Sequence, residues 1–329
     1  MEKPAHVLIV GASGQIGYIL AHWIAHGDLY GDRQVILHLY SRTQDKLTAL
    51  VMELEDCAFP YLSGCVASTD PAVAFKDVEC AFLTSSYKLP AWEVRSFLVN
   101  KNSHIYKEVG EWLSMYANPS CKVLMIANPT NTNAALCAKF AKNLNPQNFT
   151  SLSMLDHNRA NFYIAEKLGV PVSDLKDVIV WGNHGETMVP DLTNATFVKN
   201  GKTEKVLDVL GEDFMKNEFY KFMTSRGPCI TQHRGISAAA STVVAVLEHM
   251  KALLFGTKKI LSLAIPVPEN NKYGIKPGIV FSFPCTVDED GKVNIVDYPV
   301  NYWLQEKLKI TEKDLVDELK FALETLQEQ

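Results

Sequence analysis

Apolar runs alternate with amphipathic stretches through the first half of the chain. His6 to Val10 is near-continuously apolar, as in a parallel strand covered on both faces, and a helical period follows from Gln15 to about Ile24. A second apolar strand, Gln34 to Tyr40, completes a strand–helix–strand unit. Leu47 to Asp56 is helical, and Cys80 to Thr84 and Val123 to Ala127 are short strands, the latter running into Asn128-Pro129. This succession predicts an α/β fold with a Rossmann-type doubly wound parallel sheet over residues 1–150. The pattern then changes. A strand at Val178 to Trp181, hairpin signals at Asn200-Gly201 and Asp290-Gly291, and a terminal amphipathic helix predict a mixed α+β substrate domain over residues 151–329. Thr311, with Asp314 three residues on, reads as the cap of that helix, and Leu315, Leu319, Phe321, Leu323 and Leu326 supply its apolar side.

Composition narrows the class. With 329 residues, 47% of them hydrophobic, the chain supports a large core and two domains around a cleft. Its 32 basic and 37 acidic residues give a net charge of −5 without a basic run, so neither nucleic acid nor an anionic membrane is an expected partner. Seven scattered cysteines without C-x-x-C spacing read as reduced core residues, and no metal site is indicated. No signal segment and no apolar run of about 18 residues is visible, which points to a cytoplasmic protein.

The run Val7-Leu-Ile-Val-Gly-Ala-Ser-Gly-Gln-Ile-Gly17 places a dinucleotide at the N-terminus. Gly11, Gly14 and Gly17 let backbone approach a phosphate, and the open N–H groups at Gln15 and Ile16, at the positive end of the following helix, attract it. In NAD-binding versions an acidic residue closes the second strand and holds the ribose 2′-hydroxyl. Here the strand runs instead into Ser41-Arg42-Thr43, a turn suited to charge-assisted hydrogen bonds with a 2′-phosphate, so NADP is favoured over NAD. A solvated polar turn that uses NAD without the acid is the alternative.

Two polar clusters interrupt apolar surroundings: Leu155-Asp-His-Asn-Arg159 and Trp181-Gly-Asn-His184. Histidine suits proton transfer near neutral pH, and a carboxylate on its other ring nitrogen fixes the tautomer. His184 with Asp156 fits that division, and Arg159 suits a carboxylate clamp. A lone histidine after a strand is more often structural.

These residues lie in motifs that resemble those of the cytosolic-type malate dehydrogenase family: G-A-x-G-Q-I-G at 11–17, M-E-L-E-D-C-A at 52–58, N-P-x-N-T-N at 128–133, L-D-H-N-R-A at 155–160, W-G-N-H at 181–184 and Gly274-Ile-Lys-Pro-Gly278. The similarity spans the whole chain, and within the family it is strongest toward the trichomonad lactate dehydrogenases. The resemblance implies Asp156 and His184 as the proton-relay pair, Arg159 as the carboxylate clamp, Asn128 as a substrate contact and Arg95 as the loop arginine that polarises the reacting carbonyl. It also implies a homodimer with the Leu47–Asp56 helix at the interface. Reversible hydride transfer between a 2-hydroxy acid and nicotinamide is the reaction implied.

Leu89 departs from the malate pattern, which places a second arginine six residues before Arg95 to pair the distal carboxylate of oxaloacetate. Removing one partner of such a pair costs about 2–5 kcal/mol, so a dicarboxylate is disfavoured about 30-fold or more and a lactate-like monocarboxylate substrate is expected. Malate dehydrogenase activity is the second reading, and a catalytically silent dinucleotide-binding paralogue the third. Trp92, beside Arg95, stands where the family has small or polar residues.

Overall fold

The computed structural model describes residues 2–87 and 95–327, with the backbone alone for Arg95. In the first half, β1 (Ala5–Val10), α1 (Gln15–His26), β2 (Val35–Tyr40), α2 (Gln44–Asp56), β3 (Leu62–Ser68), α3 (Pro71–Ala74), β4 (Cys80–Leu83), α4 (Arg95–Tyr116), β5 (Lys122–Met125), α5 (Thr130–Phe140) and β6 (Phe149–Ser151) follow one another. Strands β3-β2-β1-β4-β5-β6 pair parallel in that spatial order, the doubly wound arrangement expected. The continuous apolar character of β1 has its explanation here. Ala5, Val7 and Ile9 pack with α1, α2 and a later helix at Ala240–Phe255, whereas Leu8 and Val10 pack with α3, α4 and α5.

The second half carries α6 (Met154–Leu168), β7 (Leu175–Lys176), β8 (Ile179–Trp181), β9 (Val189–Asp191), β10 (Thr196–Lys199), β11 (Lys202–Lys205), α7 (Val206–Phe214) and α8 (Tyr220–Arg234), the last two joined by a π-helical turn. Then come α9 (Ala240–Phe255), β12 (Thr257–Pro266), β13 (Val280–Val287), β14 (Val293–Ile295) and α10 (Tyr302–Thr325). Both predicted hairpins are present, β10–β11 around Asn200-Gly201 and β13–β14 around Asp290-Gly291. β12 pairs antiparallel with β6, so β12, β13 and β14 extend the parallel sheet to nine strands. A separate apolar cluster under α6, α7 and α8 includes Ile164, Val180, Met215 and Phe219.

Three expectations are corrected. The terminal helix begins at Tyr302, where the Asn301 side chain accepts the Leu304 N–H as its cap; Thr311 lies in the helix interior, fully buried, and does not cap it. An amide cap is available ten residues earlier, at Asn301, and the apolar period of Leu304 and Leu308 carries the helix through Thr311. Phe321 is 38% exposed, while the adjacent Ala322 is fully buried, so residue 321 lies off the core-facing side of α10. Of the cysteines, Cys80, Cys121, Cys137 and Cys285 are core residues, but Cys57 is exposed and Cys65 and Cys229 are half-buried; all seven are free thiols. Among the described residues no helix is long and apolar enough to cross a membrane.

Candidate active site

The glycine turn between β1 and α1 is fastened from below. Both the Gly11 and Ala12 N–H groups donate to the Tyr40 carbonyl at the end of β2, at 2.9 and 3.1 Å. Gly11 has φ +85°, and a Cβ there would stand 2.8 Å from the Ser85 backbone nitrogen; one at Gly17 would stand 2.5 Å from the Gly11 carbonyl oxygen. Only glycine permits that packing. Gly14 caps α1 without a side-chain hydrogen bond, the first turn has no acidic residue, and Gly14 and Gln15 are exposed with Ile16 half-buried. The result is a bare cradle with helix N–H groups turned outward, which fits a pyrophosphate. Beside it, Ser41 is buried and its hydroxyl lies 2.7 Å from that of Ser13, while Arg42 and Thr43 are exposed. Thr43 precedes α2 without its side chain capping the helix.

At the carboxyl ends of the strands, residues remote in sequence converge. Ser153 starts α6 with its hydroxyl donating to the Ser262 carbonyl and accepting the Ala264 N–H, which ties the helix to β12. Asp156 therefore occupies the first turn, where a carboxylate is favoured by the helix dipole, and is 1% exposed. Arg159, one turn on, points Nη1 at Asp156 Oδ1 at 3.4 Å. Burial lowers the Arg159 pKa, with the neighbouring Arg226 adding to that, and Asp156 opposes both. His184 follows β8 on a loop and donates Nδ1–H to Asp156 Oδ2 at 2.5 Å. A carboxylate can only accept here, so the proton sits on Nδ1 and Nε2 stays free to exchange a proton with a substrate. The His184 side chain is 13% exposed, enough to be reached from the cleft while largely screened from water.

Asn128 is exposed at the end of the β5 segment, joined to Pro129 by a cis peptide bond. Its carbonyl accepts the Asn102 side-chain N–H at 2.7 Å. Buried Asn102 also accepts the Tyr87 N–H at 2.9 Å, so one amide fastens both Asn128 and the residue that leads into the 88–94 segment. Arg95 is the first residue of α4. Its side chain, together with Leu89 and Trp92, lies outside the described residues.

Sequence reasoning missed Asn102, Asn131, Asn183, Thr311 and Asp314. Asn131 and Asn183 sit in the same motifs as Asn128 and His184, and each is buried. A buried amide must have partners, so polar residues inside such apolar runs are a usable signal. The local pattern of Thr311 and Asp314 suggests only a helix cap, and their partners lie well over a hundred residues away.

Known proteins match this chain over nearly its whole length. Residues 5–150 match the model of the lactate/malate dehydrogenase NAD binding domain, and residues 153–326 that of the lactate/malate dehydrogenase alpha/beta C-terminal domain. The chain is 37% identical to the cytoplasmic malate dehydrogenase of Echinococcus granulosus, with 98% of this chain and 99% of that protein aligned. It is 36% identical to the cytoplasmic malate dehydrogenase of Homo sapiens, with 99% of each covered. The structure of Trichomonas vaginalis lactate dehydrogenase in complex with NADH and oxamate superposes with a TM-score of 0.97 at 58% identity, covering 99% of this chain and all of that one. The Naegleria fowleri malate dehydrogenase superposes at 0.93 and 31% identity, with 99% of each chain covered. An NAD-binding sheet with a histidine–aspartate pair at its carboxyl edge, matched over its whole length in these ways, makes this chain a member of the lactate/malate dehydrogenase family, oxidoreductases that act on a CH–OH group.

Proposed function

We propose that the protein is a lactate-dehydrogenase-like 2-hydroxy-acid dehydrogenase that interconverts a 2-hydroxy and a 2-oxo monocarboxylate, with Asp156 and His184 as its proton-relay pair. The observation that carries this reading is the His184 Nδ1–H donated at 2.5 Å to a buried Asp156, with Arg159 beside the same carboxylate. The nicotinamide, when bound, supplies or accepts the hydride. Gly11, Gly14, Gln15, Ile16 and Gly17 hold its pyrophosphate through backbone N–H groups, which agrees with the bare helix terminus there. In oxidation of the 2-hydroxy acid, His184 Nε2 takes the hydroxyl proton as C2 loses its hydride, and the imidazolium so formed is stabilised by Asp156. In reduction the same proton returns to the new hydroxyl. Arg159 grips the substrate carboxylate through its planar fork, and Asn128 and Arg95 contact the substrate about the carbonyl. The Arg159 side chain is largely buried, which strengthens that grip by excluding water.

The finer cofactor and substrate choices belong to the same proposal. Ser41, Arg42 and Thr43 favour a 2′-phosphate, because the end of β2 carries no acid to repel it and Arg42 is exposed with no ion-pair partner among the described residues. Leu89 favours a monocarboxylate. Malate dehydrogenation is the second reading, supported by relatives at 36–37% identity that are named malate dehydrogenases. The cytoplasmic naming of those relatives supports a cytoplasmic location. A homodimer built on α2, whose Met52 is 58% exposed, and a division into dinucleotide and substrate halves near residue 150 complete the reading.

The test is oxidation of NADH and NADPH, followed by absorbance, with pyruvate, oxaloacetate and bulkier 2-oxo acids. Turnover strongest with pyruvate and NADPH is the expected result. Oxaloacetate preference selects the malate reading, and cofactor binding without turnover on any acid selects a silent paralogue.

A further inference from the structure

We infer that Thr311 and Asp314 of the C-terminal helix α10 are positioning residues for the catalytic histidine, holding the loop from Gly182 to His184 so that the ring meets Asp156 on one nitrogen and substrate on the other. The inference rests on reading His184 as the proton carrier. Three consecutive N–H groups of this loop are each claimed by a different element. Gly182 N–H donates to the Ser282 carbonyl of β13 at 3.0 Å. Asn183 N–H donates to Thr311 Oγ1 of α10 at 3.0 Å, and His184 N–H to Asn131 Oδ1 of α5 at 3.0 Å. The Asn183 side chain donates to Asp314 Oδ2 at 3.0 Å, and the Thr187 hydroxyl donates to the same oxygen at 2.7 Å, so one carboxylate brackets the histidine from both sides along the chain.

The fit is too close for a general packing role. Gly182 has φ +84°, and a Cβ there would stand 2.4 Å from Thr311 Oγ1, so the hydroxyl occupies the space that a side chain would fill. Asn131, Asn183 and Thr311 are all buried, and a donor that loses its partner there finds no water to replace it. The α10 helix thus fixes the backbone from which the imidazole hangs.

The test uses Thr311→Val, which keeps shape and removes the acceptor, with Thr311→Ser as the conservative rescue and His184→Gln as control. A misplaced base costs up to about 100-fold, so the valine variant is expected to lose about 10- to 100-fold in kcat with little change in NADH affinity, measured by fluorescence titration. The serine variant is expected within about threefold of the parent. The split between kcat and KM is the readout that mere packing does not move: in the valine variant kcat falls while KM for the 2-oxo acid stays within about twofold of the parent, and in the serine variant neither moves beyond about threefold. Parental kcat in the valine variant, or equal impairment of valine and serine, overturns the inference. If the valine variant does not fold, Asp314→Asn, at a half-buried position, decides by the same split: a lowered kcat at parental KM supports the inference, and parental kinetics or failure to fold overturns it. Turnover retained by His184→Gln marks failure of the catalytic reading itself.

Discussion

The side chains of Asn183 and Asp314, 131 residues apart, meet at 3.0 Å, and through that bond the last helix of the chain reaches the loop that carries His184. The proposed reaction depends on such long-range fastening, since an imidazole on a free loop would sample many orientations and few productive ones.

Asp156→Asn is expected to lower kcat by about 100-fold or more, because an amide in place of the carboxylate no longer selects the Nδ1–H tautomer or stabilises the imidazolium. NADH binding is expected to stay within about twofold of the parent. Steady-state kinetics beside a fluorescence titration check both, and unchanged kcat removes Asp156 from the relay.

Arg42→Ala is expected to weaken NADPH by about 10-fold or more while leaving NADH nearly unaltered, the size of one lost charge-assisted hydrogen bond. The ratio of the two Kd values is the measurement. Equal weakening of both cofactors contradicts a 2′-phosphate contact.

Leu89→Arg is expected to raise oxaloacetate reduction relative to pyruvate by about 30-fold, since it supplies the cation that pairs a second carboxylate. Comparing kcat/KM for the two acids decides. A fixed ratio separates residue 89 from substrate choice.

Gly182→Ala is expected to cost about 2–5 kcal/mol, combining left-handed backbone strain with overlap against Thr311. Chemical denaturation measures it, and the same variant joined to Thr311→Ala is expected to recover part of the loss. A single variant as stable as the parent would show that the loop moves freely away from α10.

Stability is expected to fall as pH drops below about 6.5. His249 is fully buried with neither ring nitrogen hydrogen-bonded, and burial pushes its pKa down to about 3; His157 and His38 are pushed down to about 4 by the same cause. Each depressed pKa leaves the folded form neutral while the unfolded form takes a proton. The stability contribution is therefore whole above the unfolded value and declines toward the folded one, by about 1.4 kcal/mol per pH unit for each histidine. In His249→Leu, urea midpoints between pH 6.5 and 5 are expected to fall less steeply than in the parent. An identical slope would mean that this ring does not titrate on unfolding.

The glycine turn and the residue types of the proposed site are legible in the sequence. Asp156 and Arg159, three residues apart in one polar cluster of the sequence, lie one turn apart on α6, and Gly11, Gly14 and Gly17 fall where a strand gives way to a helix. Thr311 was misread because a hydroxyl three residues before an acid has the local pattern of a cap, and only the Asn301 amide bond reveals where α10 begins. Local pattern likewise placed Phe321 inside, whereas neighbours from elsewhere in the fold leave that face open.

The sequence by itself determined the alternation of strand and helix, the glycine cradle and the residue types able to move a proton and grip a carboxylate, because these follow from periods of two and 3.6 residues and from side-chain chemistry. Tertiary structure alone decided that β12 joins β6 to extend the sheet, that His184 donates its Nδ1–H to Asp156, and that Asn102, Asn131, Thr311 and Asp314 bond the segments carrying Asn128 and His184. The physical reason is that a hydrogen bond between buried groups depends on where distant segments are brought by the packing of whole faces, and no local spacing encodes that distance.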